Sequence, residues 1–136
     1  MAKVWYPKWL ENRLKGAGPD LSAVTVKCVF LDLSLYTYNG AADEFLDDVP
    51  ALARVGVPQT IGSKTFTLGV FDGDNLAFPA IAAGNALGAY LVFVDTGTES
   101  TSNLMIYSEE AGVNLPFTPN DLPETLTWSG SGIAAL

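Results

Sequence analysis

The sequence of 136 residues contains no histidine and only one cysteine, Cys28. Without histidine the chain cannot build a Ser-His-Asp or Cys-His nucleophile pair, and it lacks the commonest zinc ligand. A single cysteine excludes an intramolecular disulfide and a thiolate zinc site. Cys28 lies in an apolar run and is predicted to be a buried structural thiol. The sequence therefore predicts a fold held by core packing, with no metal and no cofactor.

Positive charge is missing from the second half of the chain. The last basic residue is Lys64, and residues 65–136 contain eight acids and no base. Residues 1–64 carry seven basic and seven acidic side chains, so the net charge of −8 arises from the C-terminal half. Binding to phosphate backbones needs clustered cations, and an anionic membrane would repel an acidic surface. We expect neither nucleic acid nor a membrane as a partner.

Long apolar runs are also missing. No stretch reaches the roughly 18 residues that span a bilayer, and charges and Pro7 stand where a signal peptide would have its apolar region. Hydrophobic residues nevertheless make up 49% of the chain, which is typical of a folded protein of one domain. The expectation is a soluble protein that is synthesised in the cytoplasm.

The first twenty residues differ in character from the rest. Residues 5–16 are predicted to form a short helix, because Pro7 suits a first helical turn, Trp9 and Leu10 begin an apolar face, and Gly16 suits its end. We interpret residues 1–20 as an N-terminal helical arm and residues 21–136 as a single β-rich domain.

The remainder of the chain has the punctuated pattern of β-structure. Strands are predicted at residues 24–31, 64–68, 76–78, 86–95, 103–107, 125–128 and 133–136, with one or two helical turns at 41–48. The run within residues 86–95 is the most hydrophobic and is predicted to be a central strand. Short strands separated by evenly spaced turns predict a mainly β fold, an antiparallel sandwich or a jelly-roll-like barrel with a short N-terminal helix.

The aromatic and basic residues of the arm are the strongest candidates for a binding surface. The candidate partner-binding residues are Lys3, Trp5, Tyr6, Lys8, Trp9 and Arg13. In one interpretation the rings cover an open end of the molecule's own β core. In the other they anchor in a partner's pocket while the cations pair with its acids, since Trp, Tyr and Arg most often dominate interface energies.

Two acidic segments are weaker candidates for chemistry. Residues 72–75 resemble the start of a calcium loop, but Ala77 and Ala83 occupy the positions that require glycine and glutamate. The acids at residues 43, 44, 47 and 48 could contain a general acid and base for a small hydrolase. The favoured interpretation is a solvated helix start whose acids suit the positive end of the dipole. No catalytic residue is predicted.

Several ordered segments resemble a group of small virion proteins of tailed bacteriophages. They are residues 36–39, 43–51, 53–55, 63–67, 69–72, 94–98, 100–102 and 115–120. The resemblance runs from about residue 5 to the end. The chain departs from it at residues 121–124 and 129–132, where other members carry a Gly-Gly-Asp turn and a basic residue.

The resemblance implies a non-enzymatic role, most plausibly as a capsid decoration (cement) protein. Such proteins bind outside the major capsid protein lattice, often as dimers or trimers, and hold neighbouring subunits together. A virion location on the outer capsid surface and a homo-oligomer follow as expectations. The alternative is a tail or fibre component that binds a host-surface glycan, with Tyr90 or Trp128 as stacking platforms.

Overall fold

A computed structural model describes residues 3–110 and 114–135 of the chain. The elements in chain order are β1 (Val4–Trp5), α1 (Pro7–Leu14), β2 (Val26–Leu31), β3 (Arg54–Thr60), β4 (Val70–Phe71), β5 (Leu76–Phe78), β6 (Ala89–Val94), β7 (Leu104–Ser108), β8 (Glu124–Leu126) and β9 (Ala134–Ala135). Short 3-10 segments lie at Leu46–Asp48, Ala51–Ala53, Thr67–Gly69 and Glu99–Thr101. The mainly β fold with one short helix is confirmed.

The largest sheet has five antiparallel strands in the order β1-β7-β6-β2-β3. All six residues of β6 are buried, because β6 is the central strand and both faces of the sheet are covered. This confirms the predicted central strand. The following strand, β7, overlaps the strand predicted at residues 103–107 and pairs antiparallel with β6.

Two smaller layers pack around this sheet. The rings of Phe30 on β2 and Phe78 on β5 lie 4.5 Å apart, so the two-stranded sheet β5-β8 covers one face. On the same face Tyr90 meets Trp128 edge to face at 5.3 Å. A second two-stranded sheet pairs β4 with β9. The arrangement is sandwich-like, and the sheets do not close into a barrel.

The outer edge of β3 carries features that discourage pairing with another strand. A bulge opposite β2 places Gly56 at φ +89°, and Pro58 has no N–H to donate. The Gln59 side chain donates to the carbonyl of Val57 at 2.7 Å. Bulges, proline and blocked carbonyls are devices that protect sheet edges, so strand addition at β3 is disfavoured.

The N-terminal segment is built into the fold. Helix α1 lies within the predicted residues 5–16 and is followed by Gly16 at φ +73°. Before it, β1 pairs with β7, and the Tyr6 N–H donates to the carbonyl of Met105 at 2.8 Å. Residues 3–14 therefore lie against the β domain.

Three local predictions differ from the structure. The strand predicted at residues 64–68 is wrong, because Ser63 and Leu68 have positive φ and only Thr65 makes a bridge. The helical turns predicted at 41–48 are reduced to the 3-10 segment Leu46–Asp48. Of the strand predicted at residues 133–136, residues 134–135 pair with β4 in a separate two-stranded sheet, and residue 136 lies outside the described residues. The buried position of Cys28 is confirmed, and no helix in the described residues is long and apolar enough to cross a membrane.

Candidate functional site

An open apolar groove of about 420 Å³ runs between α1, the loop before β2 and the segment around β4. We call it the α1 groove. Its walls include Trp5, Trp9, Arg13, Leu21, Phe66 and Phe71. Trp5, Trp9 and Arg13, three of the six candidate partner-binding residues, thus meet at one surface. The opposite wall comes from Phe66 and Phe71, more than fifty residues later in the chain.

The two tryptophans of the groove differ in exposure. Trp9 is only 3% exposed and belongs to the core. Trp5 is half-buried, and its Nε1 donates to the carbonyl of Ala135 at 2.8 Å. The Arg13 guanidinium lies 5.0 Å from the centre of the Trp9 ring and donates to the carbonyl of Pro19 at 2.5 Å. The ring of Trp9 therefore stabilises the fold, while Trp5 and Arg13 keep surface for a partner.

The remaining candidates lie outside the groove. Tyr6 is fully buried in a cluster of tyrosines. Lys3 pairs with Glu110 at 3.3 Å. Lys8 is half-exposed on α1 and has no ion pair with a described residue. Tyr6 is thus unavailable to a partner in this structure, whereas Lys8 is available.

A closed loop projects beside the groove. Thr65 and Asp72 exchange two backbone hydrogen bonds of 2.9 and 3.0 Å, and the rings of Phe66 and Phe71 stack at 5.5 Å. We call residues 65–72 the Leu68 loop. At its tip Leu68 is 97% exposed and has the left-handed φ of +55°. A bulky residue rarely adopts this conformation, and a strained backbone is a reason to look for a function.

A second leucine lies beside the same groove. Leu14, the last residue of α1, is 88% exposed and follows Arg13, which lines the groove. Leu68 likewise stands between residues of the groove wall, Phe66 and Gly69. Exposed apolar side chains grouped around an apolar groove are characteristic of a protein-interaction surface. The alternating pattern of residues 64–68 predicts a strand, so it does not indicate that Leu68 belongs to an interaction surface.

The buried tyrosines form a polar chain that ends on Asp43. The hydroxyls of Tyr6 and Tyr36 are 2.9 Å apart, and Tyr36 donates to Asp43 Oδ2 at 2.6 Å. Asp43 is 8% exposed and also accepts from the Asn39 N–H at 3.3 Å. Burial raises the pKa of both tyrosines, with their mutual hydrogen bond adding for Tyr6 and the bond to Asp43 adding for Tyr36. The Asp43 carboxylate therefore stabilises the fold by accepting hydrogen bonds from Tyr36 and Asn39.

A second acid of the same segment also supports the backbone. Asp48 Oδ2 accepts hydrogen bonds from the N–H groups of Glu44 and Phe45 at 2.8 and 3.0 Å. Asp48 thus caps the 3-10 segment Leu46–Asp48, whereas the buried Asp43 differs from the solvated helix start favoured for these acids.

Replacing Asp43 with alanine is expected to lower the free energy of unfolding by about 1–3 kcal/mol, because a buried hydroxyl loses its acceptor. Urea unfolding of Asp43→Ala against Asp47→Ala, a change at an exposed acid of the same segment, measures this. Equal stability of the two variants would contradict the role of Asp43.

The candidate platforms for a glycan are not accessible. Tyr90 and Trp128 are 1% and 7% exposed and pack against each other. Trp128 Nε1 donates to the carbonyl of Asp74 at 2.8 Å. A sugar stacks on a free ring face, so neither ring can serve as a platform in this structure.

No cluster of three or more His, Cys, Asp or Glu side chains suited to a metal ion occurs in residues 3–110 and 114–135. The α1 groove and the Leu68 loop are the candidate binding surfaces of the described residues. In comparisons with known proteins, no family model matches the chain and no curated protein is significantly similar to it.

Proposed function

We propose that the protein is a non-enzymatic capsid decoration protein, which binds the outside of a bacteriophage major capsid lattice and stabilises it. The resemblance to small virion proteins gives the class of partner. The observation that carries the proposal is the Leu68 loop, where a leucine stands 97% exposed in a strained conformation. Such a side chain costs stability in the free protein and is explained by burial in a partner.

Burial of the Leu68 side chain in the capsid surface supplies free energy of binding. Moving a leucine side chain from water into an apolar pocket contributes roughly 1.5–3 kcal/mol. The stacked rings of Phe66 and Phe71 and the two backbone bonds of the loop hold the tip in place before binding. A tip that is fixed in advance loses little conformational entropy on docking. Leu68 is therefore the principal contact with the capsid.

The distribution of charge also supports docking of the N-terminal surface on the capsid. Lys3 and Lys8 lie near the N-terminal surface, whereas residues 65–136 carry only acids. Lys8, which has no ion pair with a described residue, pairs with an acid of the lattice, whereas Lys3 pairs with Glu110 of its own chain. Exposed pairs are screened within about 10 Å at 0.1 M salt, so capsid binding weakens as salt is raised.

The variant Leu68→Asn tests the proposal. Asparagine tolerates left-handed φ better than leucine, so the free energy of unfolding is expected to rise by up to about 1 kcal/mol. Binding to purified capsids, measured by co-sedimentation, is expected to fall at least about tenfold, since a loss of 1.4 kcal/mol or more is a factor of ten. A loss of binding with a gain of stability cannot result from misfolding.

The matched control is Leu52→Asn. Leu52 is 82% exposed in the segment Ala51–Ala53, and its φ is negative. Its replacement is expected to leave capsid binding unchanged. Capsid affinity that is the same for Leu68→Asn and wild type would contradict the docking role of Leu68.

The copy number in virions tests the class of protein. One copy per capsid subunit, or a simple fraction of it, is expected from quantitative mass spectrometry of purified particles. A handful of copies per particle would favour a tail or vertex protein, and absence from virions would overturn the proposal.

A further inference from the structure

We propose that Asp72 and Gly73 form a self-modification site, at which the peptide bond moves from the main-chain carbonyl of Asp72 to its side chain and leaves isoaspartate. The site lies at the neck of the Leu68 loop, where Asp72 pairs with Thr65. The chemistry needs only water and goes beyond the proposed capsid role. Its effect on docking rests on the proposed function, because the neck holds Leu68 in place.

The reaction has two steps and is balanced in atoms. In the first, the Gly73 nitrogen attacks the protonated side-chain carboxyl of Asp72, and a five-membered succinimide ring closes. The water that leaves consists of the carboxyl OH and the proton of the Gly73 nitrogen. In the second step, a water opens the ring at the original main-chain carbonyl, which gains OH and becomes a free carboxyl group, while the nitrogen regains a proton. No oxidant, metal or cofactor is consumed.

The geometry of the neck brings the reacting groups together. Asp72 Oδ1 accepts a hydrogen bond from the Gly73 N–H at 2.9 Å, so the carboxyl carbon bonded to Oδ1 lies beside the attacking nitrogen. The two backbone hydrogen bonds to Thr65, of 2.9 and 3.0 Å, fix the main chain of Asp72. Reactants that are held together in this way react faster than reactants that must first find each other. Asp72 and Gly73 are both partly exposed, so water reaches the ring.

Packing explains why the attacking nitrogen belongs to a glycine. A Cβ on Gly73 would lie 2.4 Å from Ile61 Cγ2 and 3.0 Å from the carbonyl oxygen of Gly62, so only glycine fits here. Glycine has no side chain that could shield its nitrogen from the neighbouring carboxyl group. The residue that the packing requires is therefore also the one that favours ring closure.

A second dipeptide with the same chemistry is protected by the fold. Asn39-Gly40 is the only Asn-Gly pair of the chain, and in unfolded peptides asparagine closes this ring faster than aspartate, with loss of ammonia. The Asn39 carbonyl accepts two backbone hydrogen bonds, of 2.9 and 3.2 Å, and Gly40 is buried with the Tyr38 hydroxyl beside it. Sequence alone ranks Asn39 first, whereas the structure selects Asp72.

Isomerisation opens the neck of the Leu68 loop. Isoaspartate adds one carbon to the main chain between Asp72 and Gly73, and the packing around Gly73 leaves no room for it. The next residue, Asp74, is held by a main-chain hydrogen bond of 2.9 Å. The added length is therefore taken up on the loop side, with loss of the pairing between Thr65 and Asp72. Leu68 is then no longer held ready for a partner, so docking declines as the molecule ages.

Peptide mapping of the whole protein after weeks of storage tests the site. Endoproteinase Asp-N does not cut before isoaspartate, so its cleavage before residue 72 is expected to decline, and storage in oxygen-18 water is expected to label the isoaspartate. Isomerisation of Asp72 is expected to be at least as fast in the folded protein as in urea. Deamidation of Asn39 is expected to be at least about tenfold slower in the folded protein than in urea, because its turn must open first.

Two results of the peptide map would overturn the proposal. One is a rate at Asp72 that is clearly lower in the folded protein than in urea, and the other is a fold that protects Asp72 and Asn39 equally. Neither measurement contains a capsid, so the outcome for the site is separate from the outcome for the decoration role.

Asp72→Glu is the matched control. It keeps a carboxylate at the neck, but its longer side chain closes a six-membered ring, which forms far more slowly. Hydrogen exchange of the Thr65 N–H is expected to accelerate in stored wild type and to stay constant in the stored variant. Asp72→Ser repeats the control if circular dichroism shows that the first variant is misfolded. Equal acceleration in wild type and a folded control would show that isomerisation does not open the neck.

Co-sedimentation of stored wild type with capsids tests the link to docking. Isoaspartate at residue 72 is expected to be depleted from the bound fraction and enriched in the unbound fraction. Equal isoaspartate content in both fractions would overturn the link, whereas failure of fresh protein to bind capsids would contradict the decoration role itself.

Discussion

Replacing Trp9 with alanine is expected to lower the free energy of unfolding by about 3–5 kcal/mol, the cost of truncating a large aromatic side chain in a core. Trp9 is 3% exposed, and its ring supports the Arg13 guanidinium at 5.0 Å. A domain of this size has a total stability of about 5–15 kcal/mol, so the loss removes a large fraction of it. Urea unfolding measures the effect as a lower midpoint at an unchanged slope.

Comparing Trp9→Ala with Trp5→Ala distinguishes a packing role from a binding role for the N-terminal rings. Trp5→Ala removes a half-buried ring of the same groove and is expected to cost clearly less stability than Trp9→Ala. If Trp9→Ala kept wild-type stability and lost only partner binding, the packing role of Trp9 would be wrong. Loss of binding by Trp9→Ala alone is not a test of docking, because unfolding produces the same result.

The parts of the fold that follow from local pattern were predictable. Residues 89–94 form an uninterrupted apolar run, and a central strand covered on both faces requires such a run. Helix α1 combines a proline in its first turn with a glycine after its end. In both cases the residue pattern and the tertiary environment favour the same element.

Strand β3 could not be predicted from local pattern. It contains Gly56 and Pro58, which are typical of turns, and its burial does not alternate. Its pairing with β2 tolerates both residues because β3 is an edge strand with a bulge. The neighbours of a strand, which decide whether glycine and proline are acceptable, lie elsewhere in the chain.

The candidate site was predictable in its residue types and not in its geometry. The composition of the N-terminal segment predicts Trp5, Trp9 and Arg13 as binding residues, and the groove brings them together. Its opposite wall comes from Phe66 and Phe71, whose segment alternates like a strand. Two backbone bonds and a ring stack instead close that segment into a loop. These interactions need residues 65 and 72 to meet, which alternation alone does not indicate.

Raising the pH above about 10 is expected to destabilise the protein steeply. Burial is the main cause that raises the pKa of Tyr6, Tyr36, Tyr90 and Tyr107 above the ordinary value of 10.0. Below pH 10 these hydroxyls are protonated in both the folded and the unfolded chain, and the full stability is present. Above it the unfolded chain loses their protons while the folded chain keeps them, so stability falls as pH rises.

The expected slope is large because several tyrosines contribute. Each tyrosine that stays protonated only in the folded state lowers the free energy of unfolding by about 1.4 kcal/mol per pH unit. Urea unfolding between pH 8 and 11, with tyrosine ionisation followed by absorbance, measures the slope.

A phenylalanine substitution isolates the contribution of one tyrosine. Tyr6 is fully buried, and Tyr6→Phe is expected to reduce the alkaline slope by about 1.4 kcal/mol per pH unit. At pH 8 the variant loses one hydroxyl contact to Tyr36, at a cost of about 1 kcal/mol. The stability curves of wild type and variant therefore approach each other as pH rises. The control is Tyr38→Phe at a partly exposed tyrosine, which is expected to reduce the alkaline slope less. Equal slopes for Tyr6→Phe and wild type would show that the Tyr6 hydroxyl does not control alkaline unfolding.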